Sequence, residues 1–235
     1  MFSPVLLIIF IGFAILSWAV SSRLKNKFRK YSQIPINYNM TGKEVAEKML
    51  RQNGLMNVQV NCVQGRLSDH YNPASRTINL SPDVYNGRSI ASAAVAAHET
   101  GHAIQHANSY PFLEFRSAMV PVQNVSAKVL NIMFYAMIFG VFAIDGLFSP
   151  NLALQIIIAC YAVFTLFAFI TLPVEIDASK RALAWLNTAG ITTHDTHDKA
   201  KDALKWAAYT YVVAALSALA TLLFFIMQFL GNSRD

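Results

Sequence analysis

Four long apolar runs, separated by stretches of mixed polarity, dominate the chain: approximately Phe2 to Ala19, Val120 to Ile144, Leu152 to Leu172 and Ala207 to Leu230. A helix rises about 1.5 Å per residue, so roughly 20 apolar residues cross a hydrocarbon core of about 30 Å, and each run is long enough. The first run offers small residues, "AVSS", where a signal peptide would be cleaved. It has no basic n-region, however, and its apolar stretch exceeds the usual h-region, so an uncleaved anchor is expected. The second run is the most polar, with Asn124, Ser126, Lys128 and Asn131 in its first half; Lys128 must snorkel or face protein.

The intervening segments alternate on shorter periods. Thr41 before "GKEVAEKML" reads as the N-cap of a helix with apolar positions Val45, Met49 and Leu50, stopped by Gly54. In "MNVQVNCVQG", Val58, Val60 and Cys62 alternate with polar residues, as in a half-buried strand. "SDHYNP" reads as a turn by composition and "RTINLS" as a second short strand. From Ser89 the chain turns helical: "IASAAVAAHETGHAIQHA" has no proline and a single glycine, small residues that admit close packing, and too many polar groups to be a span.

Composition strengthens the membrane reading, with 54% hydrophobic and 14% charged residues and a mean hydropathy of +0.37. The net charge of +6 does not point to nucleic acid, because the basic residues flank apolar runs. They act as topology signals. "SSRLKNKFRK", residues 21 to 30, and "ASKRA" after the third run are basic, whereas "DGLFSPN" between the second and third has no basic residue. Both termini are therefore expected outside, with residues 20–119 and 173–206 together on the cytoplasmic side. Cys62 and Cys160 lie in different environments, so no disulfide framework is expected.

The chemistry concentrates in "AAHETGHAIQH", residues 96 to 106. Residues four apart share one helix face about 6 Å apart along the axis, so His98 and His102 can both reach one zinc ion at nitrogen distances of about 2.0–2.1 Å. Glu99 projects beside them and can take a proton from water, which completes the HExxH arrangement of two ligands and a base. His106 is about 12 Å along the axis from His98 and rotated by about 80°, so it is expected to support the site rather than bind metal. A catalytic zinc needs a third protein ligand. "PVEIDASKRAL" supplies Glu175, just past the third run; Asp177 points about 200° away on a helix and can pair with Arg181 instead.

These blocks together resemble the YugP-type neutral zinc metallopeptidases, a bacterial family of multi-pass membrane proteins. "SDHYNP", "INLSPDVYNGRSIASAAVAAHETGHAIQHA", "LPVEIDASKRAL" and "AAYTYVVAAL" have counterparts there in order and spacing. The similarity to gluzincins of the HtpX and CAAX-prenyl protease type is looser. It implies His98, His102 and Glu175 as ligands and Glu99 as base. Those enzymes carry an aspartate four residues after the glutamate; here that position is Ser179. Asp177, Asp69 or Ser179 could support a metal histidine in its place.

The fold expected is an α-helical membrane protein with about four transmembrane helices and a small α+β zincin-like domain. Its parts would be an anchor at 1–22, the HExxH domain at 23–119, two spans at 120–172, a ligand-bearing helical segment at 173–206, and a last span with a short tail at 207–235. The expected function is zinc-dependent endopeptidase action on membrane or unfolded proteins. The alternative is a zinc-transporting or zinc-sensing membrane protein without peptidase activity. Tyr71, His70, His194 and His197 are candidate oxyanion donors, although His70 and Tyr71 suit turn packing and "THDTHD" suits helix capping. The strand "RTINLS" could offer an edge to an extended substrate. The partners expected are a protein or peptide substrate and the lipid bilayer, and the cofactor Zn2+.

Overall fold

The computed structural model describes residues 3–65, 67–139 and 149–232. Among these the elements run α1 (Pro4–Tyr31), α2 (Gly42–Gln52), β1 (Gln59–Cys62), β2 (His70–Asn72), β3 (Thr77–Leu80), α3 (Pro82–Tyr85), α4 (Ile90–Ala107), α5 (Pro111–Ile138), α6 (Pro150–Thr188) and α7 (His194–Asn232). They form two compact units. One comprises Met1–Trp18, Phe115–Thr171 and Tyr211–Asp235, the other Ala19–Glu114 and Leu172–Thr210.

The first unit is helical and apolar. Among the described residues three helices, α1, α6 and α7, are long and apolar enough to cross a membrane. Val5, Ile8, Phe10, Ile11, Ile15 and Trp18 stand exposed along α1. Such a surface is costly in water and favourable in hydrocarbon, so these helices belong to a membrane protein. Hydroxyls within them bond to carbonyls one turn back: Thr171 Oγ1 donates to Phe167 O at 2.8 Å and Thr221 Oγ1 to Ser217 O at 2.8 Å. The second apolar run forms α5, which carries Gln123, Asn124, Lys128 and Asn131 and is not one of those three helices. Residues 140–144 of that run lie outside the described residues.

The second unit is built around α4. The Thr41 cap is reciprocal: Glu44 N donates to Thr41 Oγ1 at 3.2 Å, and Thr41 N donates to Glu44 Oε2 at 2.6 Å, so α2 starts where two orphan donors are satisfied. Gly54, at φ 72°, follows its end. α2 buries Val45, Ala46, Met49 and Leu50, and it packs on α4. Ser89 caps α4 by accepting from Ser92 N at 3.2 Å. Because α4 is made largely of alanine, neighbours can cover it on most sides; fourteen of its 18 residues are buried.

Three strands complete the unit in the order β1-β3-β2, with β1 parallel and β2 antiparallel to β3. Ile78 and Leu80 of β3 are wholly buried, and each contributes roughly 1.5–3 kcal/mol of transfer free energy. Two expectations are corrected here. The "SDHYNP" segment is not only a turn: His70–Asn72 pairs with β3, and the turn falls at Pro73–Arg76, where Asn72 Oδ1 accepts from Ala74 N at 3.0 Å and Ser75 N at 3.3 Å. A three-residue polar strand has too little alternation to show in the sequence; its partner strand creates it. Secondly, β3 is the central strand and has no free edge, so it cannot take an added strand; the edges belong to β1 and β2. Cys62 ends β1 exposed rather than half-buried, and neither it nor Cys160 forms a disulfide.

Candidate metal centre

One face of α4 presents His98 and His102 a turn apart, their rings edge-to-face with centroids 4.7 Å apart. Glu175, only 3% exposed, comes from the C-terminal half of α6. Its Oε2 lies 3.3 Å from His98 Nε2 and 3.6 Å from His102 Nε2. These three side chains form a group whose ligand atoms all lie within 4.8 Å of one another. Donors of a tetrahedral zinc with bonds of about 2.0–2.1 Å stand about 3.3 Å apart, so the donor set and its spacing fit that ion.

The electrostatics favour positive charge at the centre of the group. Burial works against a charged His102, yet hydrogen bonding to Glu175 and the fields of Glu175 and Glu99 outweigh it, so its imidazole holds a proton more tightly than an ordinary histidine. A buried carboxylate facing two imidazoles needs such a cation. Glu99 is also buried, 8% exposed, and no hydrogen bond or ion pair ties its carboxylate among the described residues.

The far sides of the imidazoles are anchored. Ser179 Oγ is 3.1 Å from His98 Nδ1. His102 Nδ1 is 2.9 Å from Gln105 Oε1, and Gln105 Nε2 donates to Val174 O and to Asp177 Oδ2, both at 2.8 Å. Asp177 also accepts from Arg181 Nε at 2.6 Å. Gln105 was not singled out by the sequence as a supporting residue, although its place three positions after a metal-motif histidine was a usable signal.

Other candidates lie elsewhere. Tyr71 OH is 2.8 Å from His106 Nδ1, which joins β2 to α4 one turn beyond His102. His70 Nδ1 meets Ser68 O at 2.7 Å and its Nε2 meets Asn79 Nδ2 at 3.2 Å, on the exposed side of the hairpin. Asp69 Oδ1 accepts from Ser81 N at 2.7 Å and Ser81 Oγ at 3.0 Å, so it braces the start of α3 and does not support a histidine of the group. His194 opens α7. His197 Nδ1 is 3.3 Å from Thr192 Oγ1, beside a Thr193–Thr196 cap.

Close approach of α4 and α6 is what brings Glu175 in. A Cβ on Gly101 would stand 2.7 Å from Ala178 O and 3.1 Å from Ala178 Cα, backbone atoms that cannot rotate aside. Gly101→Ala must therefore separate the helices beside the group. It is expected to cost about 1–3 kcal/mol and to lower the thermal midpoint by several degrees, whereas Gly12→Ala, inside α1 and meeting nothing within 4 Å, does not lower it.

Comparison with known proteins gives the family of the chain. Residues 6–230 match a family described as "Putative neutral zinc metallopeptidase". The chain is also similar to "Putative membrane protease YugP" of Bacillus subtilis (strain 168), with 41% identity over 221 residues that cover 94% of each chain. No solved structure gives a significant match. The chain belongs to the YugP-type family of neutral zinc metallopeptidases.

Proposed function

We propose that the protein is a membrane-embedded, zinc-dependent metalloendopeptidase that cleaves membrane or unfolded proteins from a zincin-like unit on the cytoplasmic side of a bacterial plasma membrane. The observation that carries this reading is the His98, His102 and Glu175 group, His98 half-buried and the other two buried, with Glu99 beside it on α4. In sequence Glu175 follows the apolar run Leu152 to Leu172 by three positions, which favours a site at the membrane edge.

In this reading His98 and His102 hold the metal through Nε2 and Glu175 through its carboxylate. Bound zinc supplies Lewis acidity, which polarises a peptide carbonyl and acidifies a water molecule. Glu99, whose carboxylate has no hydrogen bond or ion pair among the described residues, would accept a proton from an attacking water and deliver it to the departing amine. Tyr71, placed by β2 against α4 and held by His106, is the best-sited oxyanion donor of the four considered. Its strand is an edge of the sheet among the described residues, so an extended peptide can add beside β2 with little demand on side-chain identity.

Metal removal tests the proposal. Purified protein in detergent is expected to hydrolyse a quenched unstructured protein, to lose that activity to a strong chelator, and to regain it with stoichiometric zinc. Hydrolysis that persists after complete zinc removal would rule the proposal out.

A further inference from the structure

Gln105 is wholly buried, and its amide has one allowed orientation. Two groups lie against its nitrogen, the Val174 carbonyl and the Asp177 carboxylate, each at 2.8 Å, and both can only accept. The amide NH2 must therefore face them, which turns the carbonyl toward His102 Nδ1 at 2.9 Å. A carbonyl also only accepts, so the proton between them sits on His102 Nδ1. Nδ1 is then a committed donor, and the Nε2 of a neutral ring has its lone pair directed toward Glu175.

From this we infer that Gln105 is a positioning residue. It fixes the metal-binding tautomer of His102 and, through Asp177 and Arg181, ties that choice to the helix carrying Glu175. The inference rests on the metallopeptidase reading for its consequence, though the proton assignment stands without it. In many metal sites a carboxylate orients a ligating histidine directly. Here the carboxylate of Asp177 acts one bond further away, through the amide, and Arg181 holds the carboxylate in turn. Gln105 thus also accounts for the missing aspartate at position 179: His98 has Ser179, and His102 has the Gln105 relay.

The test combines zinc affinity with a ring-proton signature. In 15N-histidine spectra of the full chain in detergent, zinc-loaded and metal-free, His102 is expected to show a slowly exchanging Nδ1–H. The Gln105→Met variant, similar in size but without the amide, is expected to lose that slow exchange and to bind zinc about 10–100-fold more weakly by chelator competition. A purely structural role would lower the thermal midpoint without changing the ring signature. Wild-type His102 with no proton on Nδ1, or folded Gln105→Met with zinc affinity within twofold of wild type, would overturn the inference. If Gln105→Met does not fold, the wild-type spectrum alone decides the proton position. Wild-type protein that takes up no zinc would defeat the metallopeptidase reading and remove the basis for a metal-positioning role; the metal-free spectrum would then test only the proton assignment.

Discussion

Glu99→Gln is expected to keep zinc at the wild-type level and to lower peptide hydrolysis by about 10²–10⁴-fold, the range over which a positioned general base acts. The substitution keeps the side chain's shape and removes its ability to take a proton. Glu99 is no member of the three-residue ligand group, and its carboxylate holds no hydrogen bond or ion pair among the described residues, so neither fold nor metal uptake should depend on its charge. Metal analysis and the quenched-protein assay, run on the same two preparations, check both halves. Equal activity in both proteins would remove Glu99 as the base. A protein that binds zinc equally in both forms and hydrolyses nothing in either would favour transport or sensing.

Glu175→Ala is expected to abolish zinc retention and activity together. Two imidazoles alone are a poor zinc site. Loss of a supporting residue costs about 10–100-fold in affinity, and loss of a ligand should exceed that. Asp177→Ala is the informative comparison. Its carboxylate is committed to Gln105 and Arg181, so zinc should weaken within the supporting-residue range and not vanish. Dialysis against a chelator of known affinity separates the two variants. The reverse order, with zinc lost from Asp177→Ala and kept by Glu175→Ala, would exchange the assignments.

Signals confined to one helix were legible in the sequence. The Thr41 and Glu44 box, the Ser89 start of α4 and the four-residue spacing of His98 and His102 all depend on residues within a turn or two of one another. The pairing of Asp177 with Arg181 was equally local, since its i+4 reach is sequence geometry. Features created by distant partners were not visible. β2 exists because β3 lies beside it, and β3 is central because β1 joins it in parallel across the intervening hairpin. Gln105 meets Val174 and Asp177 across 69 and 72 positions, so its place three positions after His102 offered a signal but could not name these partners. The division expected between residues 172 and 173 falls inside one continuous helix, Pro150–Thr188, which contains Pro173. Its missing N–H breaks one hydrogen bond, and packing keeps the helix running.

X-ray absorption at the zinc edge of the purified protein tests the central claim most directly. The account predicts one zinc per chain with two imidazole nitrogens at about 2.0–2.1 Å, a carboxylate oxygen in the first shell and no sulfur. A thiolate ligand, a single imidazole, three imidazoles, or a chain that retains no zinc would contradict it.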